Sequence, residues 1–375
     1  MLRRYRIRDY KFNIIISVVA LTLIGIVLIG SAKQSVQNKQ ILGLCIGIAV
    51  MVTVSLIDYS FILRFSWVMY VLNIVLLLFV KFKGKHVNGA TRWIEIAGIQ
   101  FQPSELAKII MILFFAQYIY KHKEDLNRPF TLLKIIVLFL IPTILVYKQP
   151  ALSTTITIFV VFCAILFIGG LSYKIIFGTL AVAVAVVSVF MGLILQPDQK
   201  ILHEYQYKRI MAWIQPDKYE NTEAYQTTNS IIAIGSGKLN GKGLNNNVVG
   251  SVKNGNFISE PQTDFIFAIA GEELGFIGCC IIIGLLGIII IQCLWVAKSA
   301  KDTAGLLIAS GMAALIGFQS FFNIGVTTGI LPNTGLPLPF VSYGLTSLVS
   351  LYIGMGFVLN VGLQRIKYYN KGEEL

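Results

Sequence analysis

Apolar runs separated by short polar turns recur along the chain, each about as long as the roughly 20 residues a membrane-crossing helix needs. Ten segments fit, at about 13–31, 40–57, 65–82, 104–120, 131–147, 152–170, 174–195, 264–297, 303–330 and 344–363. They predict an all-α polytopic membrane protein of about ten transmembrane helices, and the even number places both termini on one side. The 264–297 segment exceeds one hydrocarbon thickness and must tilt or project. The 303–330 segment is interrupted by Gly311, Gly317, Gly325 and Gly329. Three stretches read as irregular: the loop 81–103, a long extracytoplasmic loop at 196–262 between spans seven and eight, and the turn 331–343. No repeat period and no Pro-rich or Gly/Ser linker divides the chain, so 1–375 reads as a single integral membrane domain.

Composition agrees with this pattern. Hydrophobic residues make up 56% and charged residues 13%, against about 45–50% and 25% in soluble domains, which excludes a soluble enzyme. The net charge of +13 raises nucleic acid as a partner, but the basic residues lie between apolar runs and form no recognition motif, so anionic lipid is the expected partner and no nucleic acid is. With the N-terminus inside, sixteen Lys and Arg flank the spans on that side and seven lie in the short loops opposite. The long loop is left out because loops of that length cross regardless of charge. Both termini are therefore expected in the cytoplasm, with the irregular stretches facing outward from the cytoplasmic membrane. Arg3, Arg4, Arg6, Arg8 and Lys11 precede the run Ile14 to Gly30, which lacks a small-residue cleavage site and reads as a retained anchor. The five cysteines fall inside apolar stretches without metal-type spacing, predicting neither disulfides nor zinc.

Three constellations could carry chemistry. The first joins Arg92 and Trp93 to Gln102-Pro103-Ser104-Glu105-Leu106-Ala107-Lys108. Pro103 suits the first position of a helix, which puts Glu105 and Lys108 at i,i+3 on one face, one turn inside a span. Ionised groups at that depth mark function by default, or a pair that locks two helices together. Arg92 and Trp93 are either substrate contacts or interfacial anchors. The second is the long loop, with Arg209, Tyr225-Gln226 and the glycines at 235–243, followed by Thr263-Asp264 entering the eighth span and Glu272-Glu273 two turns on. The glycine spacing fits neither a P-loop nor a dinucleotide fingerprint, and a plain flexible loop is the simpler reading. Asp264 either caps the helix or is a desolvated base, and local pattern favours the cap. Glu272 is placed to share a cavity with Asp264, and Glu273 to pair with another helix. The third runs from Asn323 to Gly329 and on through Leu331-Pro332-Asn333-Thr334-Gly335-Leu336-Pro337-Leu338-Pro339-Phe340-Val341-Ser342-Tyr343-Gly344. Its prolines and glycines predict a re-entrant turn that walls a pocket, or plain loop punctuation.

Together these stretches resemble the SEDS family of shape, elongation, division and sporulation proteins. The resemblance rests on the ten spans, the GAxRWI and QPSExAK region, Tyr225-Gln226, TDFIFAxxxEELG at 263–275 and NIGxxxGxLPxTGxPLPFxSYG at 323–344. Ile57-Asp58-Tyr59 resembles the RodA branch more than the FtsW branch. The resemblance implies a peptidoglycan glycosyltransferase that polymerises lipid II at the outer face of the cytoplasmic membrane for cell elongation, or a division or sporulation paralogue. It implies that Asp264 is the essential aspartate, reversing the preference for a cap, and that Glu105 and Lys108 form a polar pair near it. It also implies a class B penicillin-binding protein as partner, alongside other elongation or division machinery. The chain departs from the family at Ala151 and Ser153, at Gln262 where many relatives have histidine, and at Leu345.

The chemistry expected is inverting transfer with Asp264 as the base. Positive charge at the departing diphosphate would come from Lys108, Arg92 or Arg209, alone or with a divalent cation such as Mg or Mn. No organic cofactor is expected. Glu272, Gln226, Trp93, Asn323, Ser342 and Tyr343 complete the candidate site. A lipid-linked precursor flippase and an assembly scaffold are the rival readings.

Overall fold

The computed structural model describes residues 10–87, 90–96, 99–149, 151–178, 181, 204–219, 222, 224–245, 251 and 257–364. Its helices are α1 (Phe12–Ala32), α2 (Gln34–Leu56), α3 (Tyr59–Leu63), α4 (Ser66–Lys83), α5 (Pro103–Lys121), α6 (Pro129–Tyr147), α7 (Leu152–Ile168), α8 (Glu204–Ile214), α9 (Tyr225–Ser236), α10 (Ile266–Lys298), α11 (Thr303–Thr327) and α12 (Leu345–Leu363). By length and apolarity α1, α2, α6, α10, α11 and α12 can each cross a membrane, and the apolar stretches Ser66–Phe82 and Leu152–Ile168 are shorter. Nine of the ten predicted segments coincide with helices, and the tenth, 174–195, lies mostly outside the described residues. The protein is a multi-pass membrane protein.

Helices α11 and α12 form the centre, with 67% and 78% of their apolar windows buried, against 28% for the peripheral α6. Small residues let the central helices approach closely, as they do between helices in lipid. A Cβ on Gly47 of α2 would press on the Tyr352 ring, and one on Gly356 of α12 would meet the Met51 carbonyl. Helix α5 runs beside both central helices with nearly every side chain buried. The end carrying the α1–α2 connection is termed outer here. Lys11 and Val296 both border Gly362 at the opposite, inner end.

The inner end is closed by a polar knot. Asn360 accepts a hydrogen bond from the Tyr59 amide at 2.9 Å and donates to the Ser55 carbonyl at 2.7 Å, and the Tyr59 hydroxyl donates to Asp302 at 2.8 Å. Asp302 also caps α11 through the Gly305 amide. Burial and the neighbouring Asp302 charge push the Tyr59 phenol far above its ordinary range, so it stays a neutral donor.

Several expectations are corrected. The stretch 81–103 is a three-stranded antiparallel meander of β1 (Lys85–Val87), β2 (Ala90–Ile96) and β3 (Ile99–Phe101), with Lys85 opposite Trp93 and Glu95 opposite Gln100. The glycines at 311, 317 and 325 do not interrupt α11. The long loop is partly folded, holding α8, a 3₁₀ turn at Pro216–Tyr219 and α9. The overlong segment is not one straight rod, because α10 breaks at Gly275, whose φ of 67° and ψ of −165° are not helical. The 23 residues beyond the break extend about 34 Å, enough to cross a bilayer core.

Candidate active site

Asp264 lies in the turn before α10, and α10 is preceded by Phe265 without a side-chain cap. Asp264 thus stands one residue before the N-cap position of α10. Its backbone is held by three consecutive carbonyls. Gln262 O accepts from the Tyr343 amide at 2.9 Å, Thr263 O from Ser342 Oγ at 2.6 Å, and Asp264 O from Asn323 Nδ2 at 2.7 Å. Asn323 Nδ2 also donates to Leu336 O at 2.7 Å, and Ser342 Oγ accepts from the Leu338 amide at 2.7 Å. The proline-rich turn 331–343 and the approach to α10 are thereby one assembly. Gly335, at φ 68°, leaves room for the carboxylate, since a Cβ there would sit 3.1 Å from Asp264 Oδ2. Burial, with the Glu260 charge adding and Lys33 opposing, raises the Tyr343 phenol, which favours its protonated form.

Glu105 and Lys108 pair within α5, with Lys108 Nζ at 2.9 Å from both carboxylate oxygens, and both are buried. The pair is intrahelical, so it does not bridge two helices. Ile109 and Met312 both border Gly354. Eleven residues further along α11 is Asn323, about 16 Å outward of Ile109, so Glu105 and Lys108, four residues and one residue before Ile109, lie roughly 10–15 Å deeper than the Asp264 assembly by helical rise. Arg92 Nε donates to the Gln149 carbonyl at 3.1 Å, and Gln149 donates to the Leu77 carbonyl at 3.0 Å, tying β2 to α4 and the α6–α7 connection. Trp93 is half-buried on the other face of the strand. Gln226 is half-buried in the first turn of α9. The Arg209 side chain lies outside the described residues.

Glu272 is not free to share a cavity with Asp264, because it ion-pairs with Lys242 at 2.8 Å. Glu273 accepts from Ser31 at the outer end of α1. Two of the glycines of 235–243 serve packing: a Cβ on Gly237 would overlap the Gly271 carbonyl, and one on Gly241, at φ 79°, would overlap that of Glu273. The break in α10 frees backbone groups that this loop takes up. Lys242 N donates to Glu272 O at 2.9 Å, Gly243 N to Glu273 O at 3.0 Å, Phe276 N to Lys238 O at 2.9 Å and Ile277 N to Leu239 O at 3.2 Å.

Sequence reasoning missed Gln40 and Glu260, and gave Ser153 no contact. Gln40 is fully buried in α2, donates to Ser342 O at 3.1 Å and accepts from the Gly344 amide at 3.2 Å, which clamps the end of the turn. A glutamine at the first position of a predicted span was the available signal. Among the described residues no three His, Cys, Asp or Glu side chains converge as a metal cage. A divalent cation would need one or two carboxylates and the substrate's phosphates, a mode Mg²⁺ favours.

The sequence matches the profile of the cell cycle proteins FtsW, RodA and SpoVE over residues 10–367. The chain belongs to that family. It is 34% identical over 329 residues to the peptidoglycan glycosyltransferase MrdB of Escherichia coli K12, covering 88% of this chain and 86% of that one. It is 33% identical over 374 residues to a probable peptidoglycan glycosyltransferase FtsW of Trichlorobacter lovleyi, covering 95% and 94%. Among solved structures it is similar to a chain of a peptidoglycan synthase complex that coordinates polymerization and crosslinking, at TM-score 0.78 and 26% identity, covering 94% and 97%. It also resembles the rod shape determining protein RodA of Thermus thermophilus, at TM-score 0.69 and 25% identity, covering 95% and 97%.

The departures from the FtsW/RodA/SpoVE motifs have visible partners. Gln262 donates to Glu260, which pairs with Lys33 at 3.1 Å and holds a left-handed backbone at φ 51°. Ser153 donates to the Thr334 carbonyl, joining α7 to the proline-rich turn. Leu345 opens α12 against Gly43 of α2.

Proposed function

We propose that this chain is a peptidoglycan glycosyltransferase that polymerises lipid II at the outer face of the cytoplasmic membrane for cell elongation, working with a class B penicillin-binding protein. Membership of the family and the activity named for its relatives support the reaction. The likeness to a chain of a peptidoglycan synthase complex supports the partner. The excess of basic residues at the inner end supports a cytoplasmic location for both termini.

The observation that carries the reading is the tying of Gln262, Thr263 and Asp264 to Tyr343, Ser342 and Asn323. It fixes the residue that bears one carboxylate at the start of a broken helix. Asp264 takes the proton of the acceptor's 4-hydroxyl as that oxygen attacks the anomeric carbon of the donor sugar, and the undecaprenyl diphosphate leaves from the opposite face. Arg92 is the described cation at the outer end that can stabilise charge on the diphosphate, and Lys108, held by Glu105 deeper in α5, serves a diphosphate only if the donor reaches down to that level. Gln319 Nε2, Ser320 Oγ and Asn323 Oδ1, buried on the outer half of α11 without protein partners among the described residues, supply donors and an acceptor for a polar substrate.

Purified protein and lipid II in detergent test this. Wild type is expected to make glycan polymer without a gradient or second compartment, and Asp264→Asn to make none at an unchanged melting temperature. Normal polymerisation by Asp264→Asn would refute the assignment, and wild-type lipid II transport without polymer would favour a flippase.

A further inference from the structure

At the inner end, α4 begins beside the last turn of α5, and the two enclose a cavity of about 180 Å³. Its floor is aromatic. Trp67 sets an edge against Phe114 at 5.0 Å and Tyr118 at 6.3 Å, and Tyr118 stacks on His122 at 4.4 Å. Its rim carries Ser66, Gln117 and Lys121.

Three features favour an anion there. No side chain caps the first turn of the 18-residue α4, so its leading N–H groups and the positive end of its dipole serve bound negative charge. Ser66 is only 3% exposed, lines the cavity, and has no hydrogen-bond partner in the protein among the described residues. Lys121 stands exposed at the rim in no ion pair among the described residues.

The surface leading away from the cavity is apolar. Trp67, Val71, Val75 and Phe79 follow one another at i,i+4 spacing along α4 and are 50%, 55%, 54% and 46% exposed. This stripe starts at the cavity and runs about 18 Å toward the outer end. A ligand suited to both parts bears a phosphate joined to a hydrocarbon chain. We propose that the cavity binds the phosphate of an anionic phospholipid of the inner leaflet, held by Lys121, Ser66 and the α4 N-terminus, with an acyl chain along the Trp67–Phe79 stripe.

Fluorescence quenching by brominated lipid in vesicles of the full chain tests this, taking the Trp67 signal as the difference between wild type and Trp67→Phe. Brominated phosphatidylglycerol is expected to quench that signal with about fivefold preference over brominated phosphatidylcholine, the scale of one basic residue near a membrane surface. Lys121→Gln should bring the ratio close to one, and Ser66→Ala should lower it in a protein of normal melting temperature. Equal quenching by the two lipids in wild type, or an unchanged preference in Lys121→Gln, would overturn the proposal. Inorganic phosphate added to the same vesicles is expected to leave the quenching unchanged, and displacement of the brominated lipid by it would reassign the site to a soluble phosphate.

Discussion

Asn323 holds Asp264 by its backbone rather than its carboxylate, since Nδ2 donates at 2.7 Å to the Asp264 carbonyl and at 2.7 Å to that of Leu336. Replacing it with leucine strands two carbonyls, at a cost of about 1–3 kcal/mol each if they stay buried. Asn323→Leu is therefore expected to lower the melting temperature and to reduce lipid II polymerisation about a hundredfold, the scale of a misplacement near 1 Å. Undiminished polymerisation would remove Asn323 from the positioning of Asp264.

The Glu105–Lys108 pair can be separated into stability and chemistry. Lys108→Met leaves a buried carboxylate alone and is expected to destabilise by roughly 3–5 kcal/mol. Glu105→Gln with Lys108→Met removes both charges and should recover most of the melting temperature but not polymerisation. Recovery of both would make the pair purely structural.

Gly241 and Gly243 offer a matched comparison, because both have positive φ, at 79° and 90°, while only Gly241 faces a carbonyl that a Cβ would overlap. Gly243→Ala should cost about 1–2 kcal/mol of left-handed strain. Gly241→Ala should cost clearly more and depress polymerisation too, since the displaced Glu273 carbonyl belongs to the helix that follows Asp264. Melting of the two variants side by side decides it, and equal shifts would contradict the packing.

Acid should weaken the inner knot through Asp58. Burial raises its carboxyl, but hydrogen bonds with Gln364 and Ser60 and the Lys301 charge outweigh that, leaving it below the ordinary 3.8. Its contribution is therefore present above pH 3.8 and lost as pH falls through the lower folded value. The pair with Lys301 is partly exposed at 3.9 Å, so the advantage of wild type over Asp58→Asn should not exceed about 1 kcal/mol. Melting curves from neutral pH downward should converge in acid, and curves that stay parallel would exclude Asp58.

The spans were legible because apolar runs of fixed length admit few alternatives in lipid, and the prolines from 332 to 339 announced a turn. Strands β1 and β3 were not legible, being three residues each beside glycines and charges. The surplus length of 264–297 hinted at the break, but locating it required the loop at 238–243, which is distant in sequence. The pairing of Asp264 with Asn323 and of Thr263 with Ser342 was invisible for the same reason, since backbone carbonyls carry it and they leave no mark on side-chain pattern. Glu272 shows the converse: its position invited a catalytic role, and Lys242 had already engaged it.

The break at Gly275 has a mechanical consequence. A one-piece α10 would swing its outer tip whenever the bilayer thinned or thickened, because a spanning rod answers mismatch by tilting. Here the nine residues from Ile266 to Leu274 are fastened instead to the loop at 237–243 and to Ser31. The same loop takes the amides of Phe276 and Ile277 just beyond the break, so both sides of it are braced and a leaning shaft loads the loop before it reaches the turn that carries Asp264.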